Sequence, residues 1–215
     1  MLTVHGRATS SNVQAVVWGL EEMGVPYRRV DVGGKHGGLD DPAFRALNPF
    51  GRVPALELET GQGIFESMAI LRYLAATYGG EKFWPKDPAD RARVDMWAEW
   101  AKVGVAMNFS VPIFWRVVRV PEGGRDDAAI NTAVEFLESA LAVAENQLAE
   151  HGFLAGPEFT LADIALGHIL YRYFTIEIQR GDLPQLAAYY ARLKDRSAYR
   201  KGVMVSYEEL RGVSL

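Results

Sequence analysis

Residues 48–74 read NPFGRVPALELETGQGIFESMAILRYL, and this stretch decides the fold of the N-terminal part of the chain. Two short apolar runs, 55–59 and 63–65, flank Thr60-Gly61-Gln62, which predicts a β-hairpin. Ser67 then stands where a helix cap is expected. The apolar residues that follow it recur at helical spacing, which predicts a helix up to Gly79-Gly80 with Met68, Ile70, Leu71 and Leu74 facing inward.

The residues before this stretch alternate between strand and helix patterns. Residues 2–5 form a short apolar run, residues 11–23 carry apolar side chains at helical spacing, and residues 27–32 predict a second strand. Glycines at 33–38 predict a mobile loop, and a short helix is expected over 42–47. The order βαβ-α-ββα is that of a thioredoxin-like α/β domain, which we expect to span residues 1–80.

The rest of the chain predicts one helix after another. Residues 81–90, with two prolines, are expected to be a linker, and residues 91–215 an all-helical bundle domain. A long helix should begin near Ala89 and kink or end at Pro112. Further helices are expected over about 126–151, from Thr160, where a capping box begins, over about 184–196, and as a final turn within 206–215.

Composition excludes several classes of function. The chain has 215 residues, a net charge of −4 and no cysteine, so a basic nucleic-acid footprint, disulfides and protein-thiol chemistry are not expected. Its four histidines are scattered, and no metal site is predicted. No apolar run approaches the roughly 20 residues of a membrane span, and the N-terminus has no signal-peptide core. A cytoplasmic location is therefore expected.

Two places could hold a peptide-like ligand. If the Val53-Pro54 bond is cis, the main chain of Val53 can face outward and pair with an extended peptide, although an ordinary edge turn is the simpler explanation. Glu66-Ser67 opens a helix whose free N–H groups suit a carboxylate, while Glu66 can take an ammonium group. Simple helix capping by Ser67 is the simpler explanation of the second place.

A third place could stabilise a bound anion. Ser10-Ser11-Asn12 opens the first predicted helix, and a hydroxyl hydrogen bond with the helix N-terminus could hold a ligand thiolate. Lowering a thiol pKa by roughly two units requires about 3 kcal/mol. These residues are also excellent helix caps, so the alternative is a purely structural role.

Together, the order and spacing of these segments resemble the cytosolic glutathione S-transferases, in particular the bacterial-type members of the phi- and theta-like serine classes. The resemblance covers nearly the whole chain. It is carried by four segments, residues 10–13, 48–56, 66–74 and 159–164.

The resemblance implies roles for particular residues. Val53, beside a cis Pro54, would pair its main chain with the cysteinyl unit of glutathione. Glu66 and Ser67 would hold the γ-glutamyl end. Ser10 aligns with the serine that activates the thiol; the alternatives for that contact are Asn12, at the position of a thiol-stabilising asparagine in some bacterial members, and Ser11.

The glycyl end departs from the family pattern. Phi-like members often carry a His-Lys pair where this chain has Leu39 and Asp40. The candidates for the glycyl carboxylate are therefore cationic residues nearby, namely Lys35, His36 and Arg52.

The resemblance also implies an acceptor site between the two domains and a homodimer. Phe50 is a candidate for an aromatic residue that locks the dimer, although an ordinary loop position is the simpler explanation. The expected acceptor-site residues are Met107, Phe109, Phe114, Trp115 and Tyr171.

The activity implied is conjugation of glutathione, as co-substrate, to small apolar electrophiles, with no metal. Glutathione-dependent peroxidase, isomerase or dehalogenase activity is the alternative within enzymes. The lack of cysteine disfavours thiol transfer and the isomerase class whose motif contains cysteine. A non-catalytic interaction module with the same fold is the third hypothesis.

Overall fold

A computed structural model describes residues 1–213, and these residues divide into two compact units. The first unit comprises Met1–Gly80 together with Ser197–Val205. The second comprises Glu81–Arg196 together with the residues from Ser206 onward. The last two positions of the expected C-terminal domain, 214 and 215, lie outside the described residues.

The first unit has the predicted order of strands and helices, which confirms the fold class. Its second strand is shorter than expected, and a single 3-10 turn, Gly34–His36, lies within the glycine-rich segment that we expected to be only a loop. The elements are β1 (Leu2–His5), α1 (Ser11–Glu22), β2 (Tyr27–Val30), α2 (Pro42–Leu47), β3 (Ala55–Glu57), β4 (Gly63–Phe65) and α3 (Ser67–Tyr78).

The four strands form one mixed sheet in the order β2-β1-β3-β4. β1 and β2 are parallel, with His5 opposite Val30, as expected for a βαβ unit. β3 runs antiparallel to both β1 and β4, and His5 also lies opposite Ala55. The loop that follows β1 therefore emerges beside the start of β3, and this loop leads to Ser10.

The main core of the first unit includes the apolar faces of α1 and α3. Their inward side chains are completely buried at Val16, Leu20, Ile70 and Leu74. The helix Ser197–Gly202 packs against α1, because the ring of Trp18 meets the ring of Tyr199 edge-on at 4.7 Å.

The second unit is all helical within the described residues, as predicted. The expected linker contains a short helix, and the long helix begins at Pro88, whose N-cap Asp87 accepts from the amides of Ala89 and Asp90. The helices are α4 (Gly80–Phe83), α5 (Pro88–Trp100), α6 (Met107–Phe109), α7 (Arg116–Val118), α8 (Asp127–His151), α9 (Leu161–Gly167), α10 (Leu170–Thr175) and α11 (Pro184–Asp195), with a final 3-10 turn, Glu208–Leu210.

The long helix does not end at Pro112. Two π-helical segments, Ala101–Ala106 and Ser110–Trp115, connect α5, α6 and α7 into one continuous helical run. Proline has no N–H, so an α-helical bond is lost at position 112, and the wider π turns accommodate this loss. None of the helices in residues 1–213 is both long and apolar enough to cross a membrane.

The predicted capping box at the start of α9 is present. Oδ2 of Asp163 accepts from the amide of Thr160 at 2.8 Å, and the Thr160 hydroxyl in turn accepts from the amide of Ala162. Oδ1 of Asp163 also accepts from the amide of Leu154 at 3.0 Å and from the hydroxyl of Tyr189 at 2.8 Å. Burial raises the pKa of this carboxyl, against the effect of the hydrogen bonds it accepts.

Candidate functional site

Ser10 stands at the N-cap position of α1 but does not cap the helix. Its backbone is extended, and its carbonyl accepts from the amide of Gln14 at 2.9 Å, as an N-cap carbonyl should. The hydroxyl makes no capping bond, and within residues 1–213 no partner for it is found. Ser10 is only 9% exposed, so it is largely buried. Ser10 thus offers a hydroxyl beside a helix N-terminus.

The N-termini of α1 and α3 are neighbours. Oγ of Ser67 lies 3.5 Å from Oδ1 of Asn12, and Ser67 is buried whereas Asn12 is half-buried. The first turn of α1 contains no acidic residue and its N-cap is Ser10, so no acidic side chain there offsets the partial positive charge of this helix end. The first turn of α3 also contains no acidic residue. Ser67 is the first helical residue and not the cap, because the N-cap position is occupied by Glu66.

Glu66 has an unusual backbone conformation. Its φ is 66° and its ψ is 117°, a region that side-chain-bearing residues rarely adopt. Its carbonyl accepts from the amide of Ile70 at 2.9 Å, so the strained residue is fixed by the first turn of α3. The side chain of Glu66 is exposed and makes no bond within the described part of the chain. Its carboxylate is therefore available to a cationic group.

Val53 lies near the N-terminus of α1 and has main-chain polar groups that are available for hydrogen bonding. The Val53-Pro54 peptide bond is cis, and within residues 1–213 neither main-chain polar group of Val53 has a hydrogen-bond partner. Gly6, just after β1, lies between Val53 and α1: a Cβ atom there would be 3.1 Å from Cβ of Val53 and 2.4 Å from Cγ2 of Val13. Any other residue at position 6 would force these segments apart. Arg29 donates to the carbonyl of Gly6 at 2.9 Å and holds this segment in place.

The glycine-rich segment continues the same edge. A Cβ atom at Gly33 would lie 3.4 Å from the guanidinium of Arg7 and 3.7 Å from Val53. Lys35 and His36 follow in an exposed turn, where His36 lies 3.8 Å from Asp31. The segment therefore starts beside Val53 and carries two basic side chains outward.

Arg52 is exposed, and no acidic side chain pairs with it in the described residues. Its cationic side chain directly precedes the open main chain of Val53. It therefore offers an anion a third basic group at this edge.

The five residues expected to line an acceptor site all belong to the second unit, but they differ in exposure. Phe109 and Phe114 are each 1% exposed, and their rings pack together at 6.0 Å in the core, which corrects the expectation that they line an open cleft. Met107 is 59% exposed, whereas Trp115 and Tyr171 are half-buried. The guanidinium of Arg119 covers the ring of Trp115 at 4.5 Å.

In the first unit, the arrangement suits a short peptide with an anionic group. Two helix N-termini attract negative charge, Glu66 attracts positive charge, and Val53 offers an N–H and a C=O for strand-like pairing. No group of three or more metal-ligating side chains occurs within residues 1–213.

Comparison with known proteins gives the family. The family model for the glutathione S-transferase N-terminal domain matches residues 9–77, and the family model for the C-terminal domain matches residues 127–192. The glutathione S-transferase GstB of Escherichia coli (strain K12) is 36% identical over 206 residues, which are 95% of this chain and 99% of the relative. The chain belongs to the glutathione S-transferase family. The family predicted from the sequence is thereby confirmed.

Other glutathione S-transferases support the same conclusion. The theta class enzyme of the citrus canker pathogen Xanthomonas axonopodis pv. citri, solved with glutathione bound, has a TM-score of 0.89 and 45% identity, covering 95% of this chain and 98% of that one. Glutathione S-transferase 3 of Zea mays is 39% identical over 165 residues, which are 75% of this chain and 73% of the relative.

Asn48 is a residue of the candidate site that the sequence analysis did not assign. It is 3% exposed and bonds the main chain of the loop that leads to Val53. An Asn-Pro dipeptide is a general turn signal, and it marks the loop without indicating that the side chain points inward.

Proposed function

We propose that the first unit binds glutathione and that the enzyme joins glutathione, through its sulfur, to a small apolar electrophile. The observation that carries this proposal is Ser10: a serine at a helix N-cap normally bonds the helix, and this hydroxyl is left to a ligand. Membership of the glutathione S-transferase family supports glutathione as that ligand. The enzyme needs no covalent intermediate, because the nucleophile belongs to the co-substrate.

The main catalytic task is to keep the glutathione thiol ionised. A free thiol has a pKa of about 8.5, and lowering it by two units requires about 3 kcal/mol. A hydrogen bond from the Ser10 hydroxyl to the sulfur, worth about 1.5–3 kcal/mol to a charged acceptor, together with the N-terminus of α1, is of that order. The thiolate then attacks the electrophilic carbon: a carbon–sulfur bond forms, and the leaving group departs with its electron pair. The thiol proton passes to water.

The remaining groups of glutathione match the charges of the site. Glu66 would take the γ-glutamyl ammonium, and Ser67 with the N-terminus of α3 would take the adjoining carboxylate. Val53, beside Pro54, would pair its main chain with the cysteinyl unit. Three basic residues, Lys35, His36 and Arg52, are the candidates for the glycyl carboxylate.

In the thiol contact, Asn12 and Ser11 are secondary candidates. The Asn12 side chain lies beside Ser67, which favours a bridging position between the two helix ends. Ser11 is half-buried and is the first residue of α1.

For the acceptor, the candidates with accessible surface are Met107, Trp115 and Tyr171. Phe109 and Phe114 are buried and would affect the acceptor only through residues packed on them. The ring of Phe114 packs on the ring of Tyr207 at 5.3 Å, and the ring of Tyr207 packs on that of Tyr171 at 6.1 Å. The apolar and aromatic character of this set favours apolar electrophiles.

The test is a calorimetric titration with glutathione, followed by turnover of 1-chloro-2,4-dinitrobenzene as a model electrophile. We expect a dissociation constant of about 1 mM or tighter. Ser10→Ala should lower turnover and raise the apparent pKa of bound glutathione while changing its affinity by only a few-fold. Ser139→Ala, at an exposed serine of α8, is the matched control and should keep the wild-type profile. Unchanged turnover in Ser10→Ala would transfer the role to Ser11 or Asn12, and absence of glutathione binding would leave the interaction-module hypothesis.

We further propose that the enzyme is a homodimer and that it acts in the cytoplasm. Phe50, 67% exposed beside Phe65, is the candidate for a contact with a second copy, and the absence of cysteine agrees with a reducing compartment. Sedimentation equilibrium of the wild type and of Phe50→Ser tests the first statement: a monomeric wild type would overturn it. Cell fractionation tests the second.

A further inference from the structure

The loop that precedes Val53 is closed from the inside by one buried side chain. Nδ2 of Asn48 donates to the carbonyl of Arg52 at 2.7 Å, and Oδ1 of Asn48 accepts from the amide of Phe50 at 3.0 Å. The amide of Gly51 donates to the Asn48 carbonyl at 3.0 Å. Asn48 is 3% exposed, so these bonds are shielded from water.

The same loop is closed from the outside by a side chain of α2. Nη1 of Arg45 donates to the carbonyl of Pro49 at 2.7 Å, and Nη2 donates to Oδ1 of Asp40 at 2.5 Å. Its guanidinium lies against Gly51, where a Cβ atom would come within 2.5 Å of the guanidinium carbon. Gly51 also has a φ of +62°, which favours glycine. Arg45 is 40% exposed, so its bonds compete with water more than those of Asn48 do.

The bond from Asn48 to Arg52 acts directly on Val53. The carbonyl of Arg52 and the N–H of Val53 belong to one peptide group, which is planar and trans, so fixing the direction of the oxygen fixes the direction of the N–H. That N–H has no partner within residues 1–213. Asn48 therefore determines where an open donor points without approaching a ligand itself.

We propose that Asn48 is a positioning residue for glutathione binding, acting through the Arg52–Val53 peptide group. The proposal rests on the proposed function, in which the Val53 main chain pairs with the cysteinyl unit. Without the Asn48 side chain, no hydrogen bond fixes the direction of this peptide group in the unliganded enzyme, and glutathione must orient it on binding. Preorganisation of this kind raises affinity without adding a contact to the ligand.

The first test compares Asn48→Ala with Asn108→Ala. Asn108 is half-buried in the second unit, and its Nδ2 donates to the Gly104 carbonyl at 2.8 Å, so the control removes a similar side-chain-to-main-chain bond elsewhere. Calorimetry should show that Asn48→Ala raises the dissociation constant of glutathione about tenfold, equivalent to about 1.4 kcal/mol. Asn108→Ala should leave it within twofold.

The pattern of kinetic effects separates positioning from loss of stability. Asn48→Ala should raise KM for glutathione while kcat at saturation and the pH dependence of kcat stay near wild type, because the Ser10 end of the site is unchanged. A fall in kcat with unchanged KM would overturn the proposal. If Asn48→Ala does not fold, Asn48→Ser, whose hydroxyl can satisfy one of the two groups, replaces it with the same expected direction.

The deciding test asks whether the effect of Asn48 on affinity depends on the bond between the Val53 main chain and glutathione. Glutathione with an alkene in place of its cysteinyl–glycyl peptide bond lacks the carbonyl acceptor for the Val53 N–H, and its affinity is measured for wild type and Asn48→Ala. We expect this replacement to weaken binding to the wild type strongly and to the variant much less. Equal losses in both proteins would refute the role of Asn48 and leave the Val53 pairing intact. No loss in the wild type would refute the Val53 pairing itself.

Discussion

His168 should make the second unit sensitive to acid. Its imidazole is 2% exposed, and its Nδ1 lies 3.2 Å from the carbonyl of Ile164 in the preceding turn. Burial, aided by the positive charge of Lys102 and to a smaller extent of Arg172, lowers its pKa from 6.5 to about 3. The neutral ring is thus the form that the folded protein accepts.

The size and sign of the effect follow from the two pKa values. The unfolded chain binds a proton at His168 below pH 6.5 and the folded chain does not, so the stability is intact above pH 6.5 and is lost as the pH falls towards 3. Each pH unit in this window costs about 1.4 kcal/mol. Between pH 7 and pH 5 this one residue should therefore lower the free energy of unfolding by about 2 kcal/mol.

Urea unfolding, followed by the fluorescence of the five tryptophans at fixed protein concentration, measures this effect. His168→Gln keeps a donor for the Ile164 carbonyl but does not titrate. The stability difference between the wild type and His168→Gln should shrink by about 2 kcal/mol from pH 7 to pH 5. Parallel curves for the wild type and His168→Gln would refute the argument.

Three further predictions concern stability. Asp163→Ala should lower the free energy of unfolding by about 3 kcal/mol or more, because it leaves several buried donors unpaired. The control Asp126→Ala, at the exposed N-cap of α8, should lower it by about 1 kcal/mol. Equal losses in calorimetric scans would contradict this. Gly202→Ala should destabilise the first unit, since its Cβ would lie 2.8 Å from the main chain of Trp18, and an unchanged melting temperature would argue against that contact. Glu66→Gly should relieve backbone strain and raise the free energy of unfolding by up to about 1 kcal/mol, while weakening glutathione binding. A variant that loses stability as well as affinity would show that the φ of 66° is not strained.

The order of elements was predictable because each carries a strong local signal. The hairpin around Gly61 and the capping box at Thr160 depend on neighbouring residues only, and both are present. The path through Pro112 was not predictable, because a proline signals a lost hydrogen bond but not the π-helical turns that tolerate it. The packing of Tyr199 on Trp18 joins residues 181 positions apart in the chain, and no local pattern encodes such a contact.

Among the acceptor candidates, sequence analysis identified apolar residues without separating the buried from the exposed. Met107 continues the helical spacing of Trp100 and Val103 but is exposed, whereas Phe109 and Phe114, which lie outside that spacing, are buried. The π-helical turns change which face of the helix each residue occupies. A shift of register within one helix is decided by packing along its whole length. Exposure therefore had to come from the structure.

The glutathione-binding edge illustrates a different limit. Its most specific groups are main-chain atoms of Val53, and a main-chain N–H has the same chemistry in every non-proline residue. The sequence can mark such a site only through the residues that shape it: Gly6, which permits the close approach to Val13, and Asn48, which orients the Arg52–Val53 peptide group. Each of these has an ordinary structural explanation taken alone. The two residues act on the same short segment, Arg52 and Val53, from different parts of the chain, and their proposed role in glutathione binding depends on this convergence in three dimensions.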